Sequence, residues 1–360
     1  MFYIAGFLFV FSSLAYVAYK KFREPLYKPG NVALQAEQEG FDDENLHSKT
    51  TDKAWLMPNG VELFFFKPTK GDRPVLALHG GPSIAPEERW HMNVENLYLY
   101  HARGCGHSTR PFQVFPTKGM WPGMKILEEQ LGIGAQVADV ERIRRRLGVE
   151  KLDIVGHSFG GLIASMYASE FPKNVRSLTL LVPAAVLTMP PKSPQEDFFK
   201  VVEEKIKQQG NLQHVEEFEA FMKRYLDFGS LPQETDQSLA KRQNEFAVHY
   251  TRAEGKEDPG DPAQVQANLT GGMACYANFL SLGIEHDYVP ACKELLSKST
   301  FPVAIVHGGS DMMPESTSRK YIELFPKDNV TFEVIPRADH MLPEHPRAAE
   351  IVKECMARAE

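Results

Sequence analysis

Residues 152–161, with the sequence Leu-Asp-Ile-Val-Gly-His-Ser-Phe-Gly-Gly, decide the fold of this 360-residue chain. A short apolar run leads into Gly-His-Ser-Phe-Gly and then directly into residues 162–168, whose spacing predicts a helix. This is the G-x-S-x-G pattern between a strand and a helix, the context in which it forms a sharp turn with an exposed serine hydroxyl. Gly156 and Gly160 leave room for the helix to pack across the strand. The pattern predicts Ser158 as a nucleophile, with an ordinary strand–helix turn as the alternative.

The composition is that of a folded globular protein, with 43% hydrophobic and 24% charged residues. A formal net charge of −7 disfavours a nucleic-acid partner, since binding to phosphates requires a cationic surface. The twelve histidines show no metal-ligand spacing, and the sequence shows no nucleotide-binding loop or haem ligand, so we expect neither a metal nor a cofactor. The four cysteines lack C-x-x-C spacing and predict separate thiols in a reducing compartment: Cys105, Cys275, Cys292 and Cys355.

Residues 2–19 form an uncharged stretch rich in Phe, Leu, Val and Ala. A helix of this length spans about 27 Å, which is close to the hydrocarbon thickness of a bilayer. We expect residues 1–23 to form an uncleaved, single-pass membrane anchor. The alternative, a cleaved signal peptide, is disfavoured because no positive region precedes the stretch. Since Lys20, Lys21 and Arg23 follow the stretch, the positive-inside rule predicts that the rest of the protein is cytosolic.

The rest of the chain divides into a linker, a core and an inserted cap. Residues 24–51 are polar and contain Pro and Gly, which predicts a linker. The core comprises residues 52–182 and 301–360, where apolar runs alternate with helical periods. This alternation predicts an α/β fold with a mostly parallel sheet and helices on both faces. The charged, helix-patterned residues 183–300 predict a helical cap inserted into that core.

Individual elements follow from the same patterns. A hairpin around an Asn-Gly turn is predicted at residues 54–66, and one long helix at residues 128–147. A closing helix is predicted at residues 347–359. Besides the strand that precedes Ser158, buried strands are predicted at residues 74–78, 97–100, 178–182, 301–307 and 331–335.

The order of these elements resembles the alpha/beta-hydrolase family, and the resemblance covers about residues 50–358. In that family an acid and then a histidine follow the nucleophile along the chain. The matching positions are Asp311 and His340, which follow the last two predicted strands. Both therefore fall at carboxyl ends of strands, where open α/β sheets bind their ligands. Asp339, beside the histidine, is a second candidate for the acid.

These residue types suit nucleophilic catalysis. A serine hydroxyl needs a nearby base to take its proton, and His340 fits because imidazole titrates near neutral pH. Asp311 would hold the imidazole in the right tautomer and stabilise the imidazolium. The oxyanion hole is predicted to use the backbone N–H groups of Gly81 and Phe159. Three other histidines are predicted to pack or to face solvent: His157, His307 and His345.

The turn at residues 79–82, the loop at residues 103–108 and the triad spacing look most like the proline iminopeptidase branch of the family. That branch usually has Gly-Gly-Ser-Trp-Gly at its elbow and Asp-Gln-Arg-Gly in its loop, and both differ here. Its cap uses glutamates to hold the free amino group of the substrate. Cys275 stands where one such carboxylate would be, and a desolvated amine needs a counter-charge.

We therefore predict a membrane-anchored serine hydrolase that cleaves an ester or amide, with a lipophilic ester favoured. An aminopeptidase that releases N-terminal proline or another small residue is the alternative. A catalytically silent, membrane-tethered binding module is a third hypothesis. Epoxide hydrolysis and dehalogenation are disfavoured because relatives with those activities use an aspartate nucleophile. Cap phenylalanines that either line an acyl pocket or pack the cap are Phe198, Phe199, Phe218, Phe221 and Phe228.

Overall fold

The computed structural model describes residues 24–40, 51–256, 260–264 and 269–359. The predicted membrane anchor, residues 1–23, lies outside these ranges. Within them, no helix is both long enough and apolar enough to cross a membrane.

Strands and helices alternate along most of the described chain. The strands are β1 (Ala54–Leu56), β2 (Glu62–Phe64), β3 (Val75–Leu78), β4 (Leu97–Leu99), β5 (Leu152–His157), β6 (Val175–Leu181), β7 (Thr188–Met189), β8 (His286–Asp287), β9 (Val303–Gly308) and β10 (Val330–Ile335). The α-helices are α1 (Asn31–Glu39), α2 (Met120–Leu131), α3 (Ile133–Arg146), α4 (Phe159–Glu170), α5 (Phe198–Gln208), α6 (Leu212–Tyr225), α7 (Asp236–Ala253), α8 (Gly272–Leu282), α9 (Val289–Leu296), α10 (Glu315–Ile322) and α11 (Pro346–Ala357).

Six parallel strands form the central sheet, in the order β10-β9-β6-β5-β3-β4. Successive side chains of a strand point to opposite faces, and both faces of this sheet are apolar. In β3, Leu76 and Leu78 pack with α3, α4 and α9, whereas Val75 and Ala77 pack on the face covered by α11. The predicted parallel α/β architecture is therefore confirmed.

The carboxyl ends of parallel strands lie at one edge of the sheet. Ser158 directly follows β5, and Asp311 and His340 come shortly after β9 and β10. The topology thus brings three residues that are far apart in sequence to the same edge.

The predicted hairpin is formed by β1 and β2, which pair antiparallel around a 3₁₀ turn at Pro58–Gly60. The indole of Trp55 stacks on the ring of Phe65 with centroids 4.3 Å apart. An antiparallel bridge between Phe65 and Tyr100 then attaches the hairpin beside β4. The hairpin therefore extends the hydrogen bonding of the sheet beyond its last parallel strand.

The single helix predicted at residues 128–147 is wrong, because α2 ends and α3 begins at Gly132. A Cβ atom at this position would lie 2.3 Å from Ser281 Oγ, so only glycine fits. The Ser281 hydroxyl accepts a hydrogen bond from the backbone N–H of Ile133 at 3.1 Å. Close packing by α8, which carries Ser281, thus breaks the helix.

Part of the predicted linker is packed on the core. Glu170 Oε1, at the end of α4, accepts hydrogen bonds from the Tyr27 hydroxyl at 2.9 Å and the Gly30 N–H at 2.8 Å. Its Oε2 atom accepts from the N–H of Ala33, in the first turn of α1, at 2.9 Å. A carboxylate at a helix N-terminus also interacts favourably with the helix dipole. Residues 27–33, which we call the docked segment, are therefore fastened to the core rather than extended away from it.

The predicted cap region contains α5 to α9 and the short antiparallel pair β7–β8. Its interior is aromatic, and Phe218 and Phe221 are fully buried there. At the first turn of α7, Asp236 forms an ion pair with Arg110 of the core at 2.6 Å and accepts from the N–H of Met273 at 2.7 Å. The contact with Arg110 fixes one end of α7 to the core, and the contact with Met273 fixes it to α8.

Candidate active site

Ser158 lies at the sharp turn between β5 and α4, with φ 52° and ψ −120°. A non-glycine residue in such a conformation costs about 1–3 kcal/mol and persists only where the surrounding structure holds it. Its N–H donates to Leu181 O at 3.0 Å. Its carbonyl oxygen accepts from Gly161 N at 2.9 Å and from Ala184 N at 3.0 Å. The strand–turn–helix context predicted for Ser158 is therefore present.

Two glycines allow the turn to lie close to the loop after β3. A Cβ atom at Gly160 would lie 2.2 Å from Leu78 O, so α4 can cross the sheet this closely only with glycine there. A Cβ atom at Gly80 would lie 2.7 Å from Ser158 Cβ and 3.2 Å from Ser158 Oγ. The backbone at Gly80 is thus in direct contact with the serine side chain.

Asp311 and His340 form a hydrogen-bonded pair. His340 Nδ1 lies 2.8 Å from Asp311 Oδ2, and Asp311 Oδ1 accepts from Met313 N at 2.7 Å. Because the carboxylate can only accept a hydrogen bond, Nδ1 donates and carries the proton. Nε2 is therefore the basic atom of the ring. Burial lowers the pKa of His340, but the charge and hydrogen bond of Asp311 raise it by more, so the pKa lies above its ordinary value of 6.5.

Asp339, the second candidate for the acid, is bonded elsewhere. Its Oδ1 atom accepts from Met341 N at 2.9 Å, and its Oδ2 atom lies 3.3 Å from Lys256 Nζ. Lys256 follows α7, so this ion pair joins the cap to the loop that carries His340. The orienting hydrogen bond to the His340 ring therefore comes from Asp311.

His157 connects the serine turn to the His340 loop. Its Nε2 atom lies 2.8 Å from the His340 carbonyl oxygen, and the two rings have centroids 5.0 Å apart. Burial, and then the neighbouring His340, lower the pKa of His157 to about 3. The ring is thus neutral, with its proton on Nε2, and it acts as a donor that positions the loop. No hydrogen bond joins Ser158 Oγ to His340 Nε2 within the described chain, and such bonds commonly tighten only in the substrate complex.

The other two histidines have local structural contacts. His307 Nδ1 lies 2.9 Å from Ser318 Oγ. His345 is the N-cap residue of α11, where its Nδ1 accepts from Arg347 N at 3.2 Å. Each ring is thus held by a neighbouring residue, and neither ring is hydrogen-bonded to Ser158.

The two predicted oxyanion donors border the serine. Phe159 is the first residue of α4, and Gly81 follows the contact made by Gly80. Gly81 has φ 130°, a left-handed conformation that favours glycine. Neither N–H donates to another group among the described residues. Both amides can therefore bind a negatively charged oxygen.

His79 holds the loop before Gly81, a role that sequence reasoning missed. Its Nε2 accepts from Ala102 N at 3.2 Å, so its proton lies on Nδ1, which contacts Gly80 O at 3.1 Å. Burial lowers the pKa of His79 to about 3, so the ring stays neutral. His79 thereby fixes the loop that carries Gly81. Its position before the Gly-Gly pair was the available signal.

Tyr250 and Lys256 were also missed, because they belong to the cap and have no local motif. The Tyr250 ring lies 6.1 Å from the His340 ring, measured between centroids. Ser158 is only 7% exposed, and the Asp311 side chain is fully buried. The serine and the acid are thus largely shielded from solvent, and a cap residue lies beside the histidine.

Cys275 lies in a neutral hydrogen-bonded cluster within the cap. Its thiol donates to Gln243 Oε1 at 3.2 Å, and the Tyr225 hydroxyl donates to the same oxygen. Burial raises the pKa of Cys275 above its ordinary value of 9.0, so the thiol stays protonated. This position therefore carries no charge that could hold an amine.

The described residues include no group of three or more His, Cys, Asp or Glu side chains placed to hold a metal ion. What the site offers chemically is a hydroxyl, an oriented imidazole and two free amides. These are the elements of acyl transfer through a serine.

A family model described as alpha/beta hydrolase fold matches residues 73–345, which confirms the resemblance predicted from the sequence. The proline iminopeptidase of Neisseria meningitidis serogroup A is 33% identical over 111 residues, which are 30% of this chain and 31% of that protein. The chain thus matches less than a third of the length of this curated relative.

Solved structures share the fold at low sequence identity. An esterase from Thermogutta terrifontis has a TM-score of 0.52 at 18% identity, over 86% of this chain and 99% of that one. A proline iminopeptidase from Mycobacterium smegmatis has the same TM-score at 14% identity, over 86% of this chain and all of that one. The esterase and the peptidase have equal TM-scores, so these structural similarities support the fold and do not identify the substrate.

Proposed function

Since the chain belongs to the alpha/beta-hydrolase family, we propose that it is a serine hydrolase that cleaves esters through a covalent acyl-enzyme. Ser158 is the nucleophile, His340 the base and Asp311 the acid that orients it. The observation that carries this proposal is the 2.8 Å contact between His340 Nδ1 and Asp311 Oδ2, beside a serine held at positive φ.

The reaction proceeds in two halves. Ser158 Oγ attacks the ester carbonyl while His340 Nε2 takes its proton, and the amides of Gly81 and Phe159 bind the resulting oxyanion. Collapse of this intermediate releases the alcohol, which receives the proton from His340. A water molecule, activated by the same imidazole, then releases the acid from Ser158.

An apolar acyl group is supported by partly exposed aromatic rings in the cap. The Tyr250 ring, which lies beside His340, contacts the ring of Phe198, and Phe198 in turn contacts Phe199 and Phe246. Neighbouring rings in this group have centroids 5.7 to 6.1 Å apart. These rings are only partly buried, whereas Phe218 and Phe221 are fully buried and pack the cap. The partly exposed rings can therefore contact an acyl chain.

An aminopeptidase is the second candidate, and one observation favours it. Glu254, just after α7, lies close enough to His340 for its charge to raise the pKa of that ring. It could hold a substrate amine, but its Oε2 already lies 3.0 Å from Lys256 Nζ. With Cys275 uncharged, we favour the ester.

We also propose that residues 1–23 anchor the protein in a membrane, with the catalytic domain on the cytosolic side. This proposal rests on the uncharged residues 2–19 and the basic residues that follow them. Retention in the pellet after alkaline carbonate extraction is expected. A mobility shift on glycosidase treatment would contradict the cytosolic side.

The deciding experiment compares p-nitrophenyl esters with proline naphthylamide, using the purified full-length protein and Ser158→Ala. We expect turnover of the esters, lost in Ser158→Ala. Each acyl methylene buried in the cap contributes about 0.8 kcal/mol, so kcat/KM should rise about threefold to fourfold per methylene over a short series. Turnover of the naphthylamide alone would refute the ester assignment. Absence of both activities and of fluorophosphonate labelling would favour the binding-module hypothesis.

A further inference from the structure

The Tyr250 hydroxyl is a buried polar group without a hydrogen-bond partner among the described residues. Native structures satisfy most such groups, because water no longer reaches them. An unsatisfied hydroxyl beside a reactive centre is a group that a ligand atom can satisfy. The location of the Tyr250 hydroxyl therefore indicates which substrate atom it would bind.

Tyr250 lies on the His340 side of the site. The centroids of the two rings are 6.1 Å apart, with an angle of 57° between their planes. Asp311 binds Nδ1 of His340, so the imidazole delivers protons through Nε2. In serine hydrolysis this imidazole gives its proton to the leaving group. Tyr250 is therefore a cap residue beside the ring that protonates the leaving group, whereas the oxyanion amides belong to the core.

Both ends of α7 hold Tyr250 over the histidine. Asp236 fixes the first turn through Arg110, and Lys256, just past the last turn, lies 3.3 Å from Asp339 Oδ2. Between these ends, the Tyr250 ring has Phe198 as a neighbour at 6.1 Å. These contacts hold the helix that carries Tyr250 in place beside His340.

The electrostatic surroundings keep this hydroxyl protonated. Burial raises the pKa of Tyr250 above its ordinary value of 10.0, and the charges of Asp311, Glu254 and Asp339 raise it further. The phenol is consequently a hydrogen-bond donor throughout the working pH range of a serine hydrolase.

Resting on the proposed function, we propose that the Tyr250 hydroxyl donates a hydrogen bond to the leaving-group oxygen of the ester. When the tetrahedral intermediate collapses, the bond from carbon to this oxygen breaks and its electron pair passes to the oxygen. His340 Nε2 transfers its proton to the same oxygen, and the acyl group stays on Ser158 Oγ. Tyr250 keeps its own proton and stabilises the charge that develops during the step.

This role specifies a substrate class. The hydrogen bond matters most when the leaving oxygen carries substantial negative charge, as in esters of weakly acidic aliphatic alcohols. An activated phenol such as p-nitrophenol leaves with little assistance. Tyr250 therefore adapts the site to alkyl esters.

The test compares Tyr250→Phe with the wild type on two esters of one acid, a p-nitrophenyl ester and an alkyl ester. We measure kcat/KM, which reports the acylation half of the reaction. Loss of one donor to a developing oxyanion costs about 10²-fold. We expect a loss of this order for the alkyl ester and less than about threefold for the p-nitrophenyl ester, whose leaving group needs no donor. The matched control is Tyr276→Phe, which removes a cap hydroxyl bonded to Tyr225 O at 2.8 Å and should leave the ratio between the two esters unchanged.

The outcomes separate the two proposals. A selective loss on the alkyl ester supports the assignment of Tyr250. An equal loss on both esters, or no loss on either, overturns that assignment and leaves the serine mechanism intact. If the wild type hydrolyses neither ester, the proposed function fails and this assignment fails with it.

Discussion

Replacing Asp311 with asparagine tests the orientation of the proposed base. Asp311 Oδ1 accepts from Met313 N at 2.7 Å, and Asp311 Oδ2 faces His340 Nδ1 at 2.8 Å. In Asp311→Asn, keeping the bond to Met313 places the amide NH₂ group against His340. That group donates to Nδ1 and moves the ring proton to Nε2, where it blocks acceptance of the serine proton.

The wrong tautomer at this position lowers kcat by about 10⁴-fold in the serine-protease template. At about 1.36 kcal/mol per tenfold, the loss corresponds to about 5.4 kcal/mol of transition-state stabilisation. The pH profile should change as well. The imidazole must be neutral to act as a base, so wild-type kcat/KM falls as the pH drops through the pKa of His340, which lies above 6.5. Without the carboxylate, burial lowers that pKa, and the acidic limb moves to lower pH.

The assay is a pH series of kcat/KM on a p-nitrophenyl ester, whose hydrolysis depends little on Tyr250, with Asp339→Asn as the matched control. Asp339 neighbours His340 in sequence but bonds to Met341 and Lys256. Above the pKa of His340, we expect the control to retain activity within about threefold, because Asp339 is partly exposed and forms only a surface ion pair. Retention of more than a tenth of the activity by Asp311→Asn, or an equal loss in the control, would refute the assignment.

Three further predictions concern packing and stability. Gly80→Ala adds a Cβ 2.7 Å from Cβ of the proposed nucleophile, so kcat/KM should fall by about 10²-fold, and wild-type kinetics would contradict this contact. Arg103→Met removes a guanidinium 2.5 Å from the buried Asp139 and leaves Arg142 at 3.3 Å. The free energy of unfolding in urea should fall by about 3 kcal/mol, and a loss below about 1 kcal/mol would contradict the account. Glu170→Ala removes three hydrogen bonds to the docked segment, so chymotrypsin should cleave that segment after Tyr27 faster, and an unchanged rate would show that other contacts hold it.

The core could be predicted because its signals are local. Apolar runs with short turns between them mark buried strands, and G-x-S-x-G marks the turn before α4. Chain order then suggested Asp311 and His340, since parallel strands bring residues that follow them to one edge. The structure places these two side chains in hydrogen-bond contact, 29 residues apart along the chain.

Long-range contacts account for what could not be predicted. The break at Gly132 depends on Ser281, which packs against it from a distant helix, while the apolar period continues across the break. Fastening of the docked segment depends on Glu170, about 140 residues further along the chain. Neither contact corresponds to a recognisable pattern in the neighbouring sequence.

The cap residue beside His340 could not be predicted for a similar reason. Tyr250 is one of two aromatic residues in α7, with Phe246, and only the packing of that helix on the core brings it beside His340. The substrate side of the site therefore depends on tertiary contacts that a motif does not encode.

The central claim is that Ser158 forms a covalent acyl-enzyme. Its most direct test is peptide mapping by mass spectrometry after reaction of the full-length protein with a fluorophosphonate, which reacts with activated serines. We expect one adduct on Ser158 in the wild type, none in Ser158→Ala, and slow labelling in Asp311→Asn. An adduct that persists in Ser158→Ala, or a wild type that is not labelled, would contradict it.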